Sequence, residues 1–351
     1  MRIVKGLLLV GVLVLAAAGG WWLTRPAPAE ASPTHPQWVR DLDAARVETP
    51  GGGLPFMLQS GGSFAKLAPA VRAARDTDTI TIMPGVYEDC AVVSRGNLTF
   101  RAMVPGSVTL SKKVCEGKAG LVLRGETATV EGIHFTGYTA NDGNGAGIRL
   151  EKGDLYVRSS IFDGSDTGVI SGNGQPGQAT IERSIFRRLG RCRPDNCSHS
   201  VYMGRFAALT VRESLFEQGR GGHYIKSRTR QVDIRDNLID DSQGTRTNYL
   251  IDLPEGATGE IRGNALIKGT QGENKCCAIV VSAEFRDNDA SVLVDGNQFA
   301  NLADRPVVLL GDYKGEARLG RNETLGWFID EARLTVADKC VACKLLSGRI
   351  L

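Results

Sequence analysis

The sequence predicts an all-β chain wound into a parallel β-helix, with a short capping helix near its N-terminal end. Three observations carry that expectation. Seven segments repeat a β-branched residue followed five positions later by a large apolar one. Six of the seven share a Ser or Asn at one fixed place. A second short apolar strand recurs upstream of each repeat.

The repeats are TVEGIHF (129–135), YVRSSIF (156–162), TIERSIF (180–186), TVRESLF (210–216), DIRDNLI (233–239), EIRGNAL (260–266) and LVDGNQF (293–299). Their β-branched residues are Val130, Val157, Ile181, Val211, Ile234, Ile261 and Val294, spaced by 27, 24, 30, 23, 27 and 33 residues. Each unit is too short to be a domain and lacks the periodicity of a helix pair. Gly, Asn and Asp mark its corners, as in one coil of a solenoid. The unequal spacing fits turns that accept surface insertions. Leucine-rich repeats would need a leucine pattern that is absent, and propeller blades would need longer repeats of four antiparallel strands. The polar column Ser160, Ser184, Ser214, Asn237, Asn264 and Asn297 suits hydrogen bonding from coil to coil.

The chain has 351 residues, 42% hydrophobic and 23% charged, with a formal net charge of +3 and 6% aromatics. That charge and those few aromatics give no case for nucleic acid. At the N-terminus, Arg2 and Lys5 precede an apolar run from Gly6 to Leu23, then Trp21-Trp22 and Arg25. This reads as an export segment kept as an inner-membrane anchor, with the chain beyond it periplasmic. The alternative is secretion after cleavage near Ala27–Ala31. Residues 1–31 are therefore assigned to the signal-anchor, 32–54 to a linker, 55–315 to the β-helix and 316–351 to a C-terminal cap stapled by cysteines. His35 falls in the linker and is expected to be uninvolved. His134 replaces the Ile or Leu of its repeat and reads as structural.

Eight cysteines allow 105 pairings. Cys192 and Cys197 enclose a short loop, Cys276 and Cys277 are adjacent, and Cys340 and Cys343 form a CxxC read as a terminal staple. No second CxxC or nearby His supports zinc. In residues 62–87, Phe64, Leu67, Val71 and Ala74 share one helical face ahead of DTITI and a Pro-Gly turn. Such a helix would cover the open end of a solenoid. The run TITIMPGVY, entering the first coil after this helix, resembles the opening of pectate-lyase-like right-handed parallel β-helix proteins. If Cys90 and Cys115 occupy neighbouring coils, a disulfide would join them.

The upstream strands read AGIRL (146–150), TGVIS (167–171), HSVYM (199–203), HYIKS (223–227), YLIDL (249–253), CAIVV (277–281) and PVVLL (306–310). Ile148, Val169, Val201, Ile225, Ile251, Ile279 and Val308 should point inward. Alternation then turns Arg149, Ile170, Tyr202, Lys226, Asp252, Val280 and Leu309 outward. Tyr202, Lys226 and Asp252 are thus expected side by side, about 4.8 Å apart, on three successive coils. His199 and His223 head the same strands. Strict alternation would bury them, and a bend at the site edge is expected instead.

Such a group suits acid–base work on an anionic sugar. A lyase acting on a uronate neutralises the carboxylate, removes the C5 proton and protonates the leaving oxygen. Lys226 or His223 is the candidate base, Tyr202 the acid, His199 a neighbour, and Arg228 a carboxylate clamp. Asp252, Arg149 and Arg246 are candidate substrate contacts. Residues 225–264 resemble the corresponding coils of alginate- and chondroitin-type β-helix lyases. Lys226-Ser227 matches that family's lysine-serine strand, which implies Lys226 as base. Asp252 stands where the family's assisting arginine is expected. Glycines precede the strand where the family carries acidic calcium ligands, so no cofactor is expected, and calcium, the alternative the resemblance leaves open, is not supported by these residues. The reading is an exported lyase acting on an acidic polysaccharide. The alternatives are a noncatalytic glycan-binding or surface-assembly protein, or a hydrolase or epimerase on the same scaffold, with Asp252, Asp240 and Asp241 as available carboxylates.

Overall fold

A computed structural model describes residues 35–45 and 52–333, other than 175, 195, 275, 285–290, 316 and 327. The chain forms a parallel β-solenoid of about nine turns. Its strands fall into one twelve-stranded and two ten-stranded ladders, each adding one strand per coil. The repeated β-branched residues pair in register from Val130 through Val294. All seven are buried, at 0–1% exposure. The register runs one coil further than the repeat read in the sequence, to Leu319. Parallel pairing continues to the strand Phe328–Arg333.

The corner after each β-branched residue explains the polar column. Two residues beyond it, Ser159, Arg183, Glu213 and Asp236 adopt left-handed backbone (φ 47–56°), as Gly132, Gly263 and Gly296 do elsewhere in the column. A side chain pays a steric cost there, so the corner needs a compensating bond. It comes from the next residue. The Ser184 Oγ accepts the Ser160 N–H at 3.2 Å. From Asn237 onward the amides form a continuous ladder. The Asn264 Oδ1 accepts both the N–H and the Nδ2 of Asn237, at 3.0 and 2.9 Å. Asn297 does the same for Asn264, and Asn322 for Asn297.

Inside, the large apolar residues stack as a second column. Phe135, Phe162, Phe186 and Phe216 follow one another at 5.1, 4.7 and 4.7 Å between ring centroids. The N-terminal end is closed by helix α2 (Leu67–Ala73). Leu67 joins the core, and Phe64, Val71 and Ala74 pack against it. The helix is shorter than expected: it begins at Leu67, so Phe64 reaches the core from the short strand Ser63–Phe64 and Ala74 from the extended C-cap. The strand Phe56–Leu58 pairs antiparallel with Thr79–Ile82 and covers the first edge. The bonded pair Cys90–Cys115 joins neighbouring coils, and Cys192–Cys197 and Cys276–Cys277 are also bonded. Residues 1–34 and the Cys340/Cys343 pair lie outside the described residues. Among the described residues no helix is long and apolar enough to cross a membrane.

The stretch read as a linker holds helix α1 (Gln37–Ala44). Val39 and Leu42 pack on Ile161, Ile185 and Leu215, which face outward from three successive coils. Ionisable groups line this contact. Arg187 bonds Asp43 at 2.8 Å and Asp163 at 3.4 Å. His35 Nε2, far from idle, lies 3.6 Å from Glu217 Oε2. Burial pushes Glu217 up to about 7, against the nearby Arg187 charge. His134 stands in register with Ile161, and burial lowers its pKa to about 4.

Two predictions follow from these contacts. Asn264→Ala should cost about 2–4 kcal/mol in urea unfolding, because it strands buried backbone groups of Asn237 and Ile234. Asn264→Ser should cost less, since Ser fills the same role at Ser184. The folded state holds the Glu217 proton to higher pH than the unfolded chain does, so this group's contribution falls as pH rises from its ordinary range to about 7. Glu217→Gln should therefore melt progressively higher than the wild type as pH is raised from about 5 to about 8, and match it near pH 4.

Candidate functional site

The three-residue row expected from alternation is present. Tyr202 pairs with Lys226, and Lys226 with Asp252, in one ladder. Ile170 and Val280 flank the row as apolar neighbours. Lys226 Nζ lies 3.3 Å from Asp252 Oδ2 and 5.9 Å from the Tyr202 ring centroid. Asp252 is 3% exposed. Burial pushes its carboxyl up to about 6, although the Lys226 ammonium opposes the shift.

The histidines face this row. The chain bends at Ser200, Tyr224 and Leu250, just before each strand begins. Tyr224 and Leu250 turn into the core. The preceding residues stack outside: His199 on His223 at 4.9 Å, and His223 on Tyr249 at 5.1 Å. His199 also meets the Tyr202 ring edge-on at 5.4 Å. The His199 Nδ1 accepts the His223 N–H at 3.0 Å, and the His223 Nδ1 accepts the Tyr249 N–H at 3.1 Å. Each neutral ring thus carries its proton on Nε2. For His223 that atom is 3.3 Å from Asp252 Oδ2. Burial holds both imidazoles well below their ordinary pKa. The nearby positive charge of Lys226 adds to this, and the adjacency of the two rings disfavours charging both together.

Arg228 leaves the strand and folds back over the row. Its Nε donates to the Tyr202 hydroxyl at 2.9 Å. Its remaining nitrogens bond Glu255 Oε1 at 2.8 Å and Glu284 at 2.6 and 2.9 Å. Burial works against this charge, and the bonds to Glu284, Tyr202 and Glu255 outweigh it, so the pKa lies above the ordinary arginine value. Arg205 clamps Glu255 through two bonds of 2.7 and 2.8 Å. Glu284 also reaches Lys226, at 3.6 Å.

Four participants lie outside the columns read from the sequence. Arg205, Glu255 and Glu284 come from the turns just after three strands of this ladder, where no period holds. Their signal is charge at successive strand ends, in MGR, LPE and SAE. Tyr249 continues the His199–His223 column, two positions before Ile251. Two expected substrate contacts are elsewhere. Arg149 is separated from Tyr202 by Ile170 and bonds Glu151 at 3.1 Å, in a network with Lys118 and Arg124. Arg246 sits in a left-handed turn, with Glu273 at 4.0 Å as its ionic partner. Asp241 is fully buried and takes the Tyr224 hydroxyl at 2.9 Å, so it serves the interior. Asp240 accepts the Ser242 N–H within its own turn.

No family model matches the chain, and a comparison with curated proteins finds no match.

The tautomers carry a direct check. In ¹⁵N NMR, His199 and His223 should both show an unprotonated Nδ1 and a protonated Nε2 at neutral pH, with neither ring titrating near the ordinary histidine pKa.

Proposed function

We propose that this chain is an exported, polysaccharide-active β-helix protein that cleaves a uronate-containing chain by β-elimination at the Lys226 row. The observation that carries the reading is the Tyr202 hydroxyl, which accepts from the Arg228 guanidinium and leaves its own proton free. A phenol so placed, with Lys226 on the next coil, holds its oxygen beside two cationic side chains, which would stabilise negative charge developing there.

The roles then differ from the first expectation. His223 and His199 have no free ring lone pair, because each Nδ1 is taken by a backbone N–H. Lys226 bridges Asp252 and Glu284 as an ammonium. Tyr202, after giving its own hydroxyl proton to bulk water, takes the C5 proton of the uronate. Lys226 and Arg228 face the sugar carboxylate as negative charge moves into it. The C4–O bond breaks, a C4–C5 double bond forms, and Tyr202 returns its proton to the departing oxygen. No water is consumed. The buried Asp252 fixes Lys226 from beneath, and His223 packs against Asp252.

The bonded cysteine pairs favour an oxidising compartment. The apolar N-terminal run favours export with an inner-membrane tether. The substrate class is an acidic polysaccharide of the cell envelope or its surroundings.

Hydrolysis is the second reading, favoured by two carboxyls driven apart. Burial raises Asp252 to about 6, and the Arg228 bond holds Glu284 below its ordinary range. Incubation of the full-length protein with a panel of acidic polysaccharides decides between them by product mass. Elimination yields unsaturated ends with no mass added, whereas hydrolysis adds water. Tyr202→Phe should lower turnover by roughly 10²-fold or more and leave substrate affinity near that of the wild type. Lys226→Ala should lower both. A protein that binds the polysaccharide but never cleaves it would instead be a glycan-binding module.

A further inference from the structure

Three acidic side chains meet three basic ones in this site, and they are not equivalent. Asp252 is 3% exposed and lies under Lys226. Glu255 is 1% exposed and is held by both Arg205 and Arg228. The Glu284 side chain is 44% exposed and comes from the turn after the next strand, Cys277–Val281. Its two oxygens fall where Lys226 and Arg228 converge. Oε1 is 3.6 Å from Lys226 Nζ and 2.9 Å from an Arg228 nitrogen, and Oε2 is 2.6 Å from Arg228.

We infer that Lys226 and Arg228 form a seat for one carboxylate of the ligand, and that Glu284 occupies this seat until the ligand displaces it. Charge balance requires a replacement. With Glu284 in place, Lys226, Arg228 and Arg205 are matched by Asp252, Glu255 and Glu284. Without it, Lys226 keeps Asp252 and Arg228 keeps Glu255, so neither cation is stranded, yet the cluster carries one uncompensated positive charge. An incoming sugar carboxylate restores the balance and can take the same two-oxygen geometry on Arg228. A neutral sugar cannot, because it would leave the seat to Glu284. The exchange therefore selects for acidic residues in the ligand. The bonds Glu284 makes are also those that place its pKa below the ordinary range, chiefly the one from Arg228. A tethered competitor acts at an effective concentration in the millimolar range, so its loss is worth a sizeable factor in affinity.

The choice of a uronate as the ligand rests on the proposed function, but the seat itself can be tested without any polymer. Free glucuronate, with glucose as the neutral control, is titrated into the full-length wild type, Glu284→Gln and Glu284→Ala, and the Arg228 Nε and Lys226 Nζ signals are followed by NMR. Both variants should bind glucuronate about tenfold more tightly than the wild type, with saturable shifts at both signals, and glucose should move neither. Thermal melting should confirm that both variants stay folded. Equal glucuronate affinity in wild type and variants would overturn the inference, as would tighter binding without a response at Arg228 and Lys226. If the variants gain affinity as expected while no acidic polymer is cleaved, the seat stands and the elimination chemistry falls.

Discussion

Each coil of this protein can satisfy its backbone only through the coils on either side of it. A β-helix has no local hydrogen-bond closure comparable to a helix or hairpin, so register between coils is the constraint on which the rest depends. The corner after each β-branched residue is where that register is most exposed to error. There the backbone enters the left-handed region at Ser159, Arg183, Glu213 and Asp236. The Ser and Asn ladder fixes the corner, because each side chain bonds the backbone of the preceding coil. A slip of one residue would break every rung and turn the Phe column out of the core.

Register also makes the site. Residues from distant parts of the sequence become neighbours only because each coil repeats the position of the last. Tyr202, Lys226 and Asp252 are successive members of one column. Had the ladder slipped by one residue in the coil between them, the phenol would face Ser227 or Ile225 in place of Lys226. The stacked rings of His199, His223 and Tyr249 depend on the same registration, and each Nδ1 is tied to the backbone of the next coil. The imidazoles are thereby fixed in one tautomer as a by-product of how the coils hold together.

The legible part of this structure is the part that is periodic. The β-branched, apolar and amide columns follow from spacing alone, and alternation placed the outward row correctly. Alternation failed at His199 and His223 because both residues precede a bend, where two consecutive positions such as Tyr224 and Ile225 turn inward. Turns carry no period, so Arg205, Glu255 and Glu284 were not visible, although they supply half of the site's charge. Arg149 lies in the correct column, but a long side chain is free to choose its partner, and Glu151 on the same strand end is nearer. Helix α1 was obscured by its Pro- and Ala-rich setting. Its partner stripe, Ile161, Ile185 and Leu215, was in plain view within the repeats, as apolar residues pointing away from the core.

That stripe shows how far a solenoid's outer surface can depart from simple solvation. On one ladder the outward residues are apolar and are covered by α1, which excludes water from Glu217 and raises its pKa. On another, the outward row is ionic and is covered by its own side chains, with Arg228 laid over Tyr202 and Glu284 over Lys226. In both places burial alone would favour the neutral forms, but the outcomes differ. Under α1 the acids Asp43, Asp163, Asp240 and Glu217 outnumber Arg187 and Arg188, and Glu217 keeps its proton to about pH 7. At the Lys226 row cations and anions are equal in number, and charge is retained on Arg228 and on Glu255 despite burial. A balanced cluster of this kind contributes little net attraction to a distant polyanion. Its selectivity must arise at contact, when one of its own carboxylates gives way, and Glu284 is the one the fold leaves half in solvent.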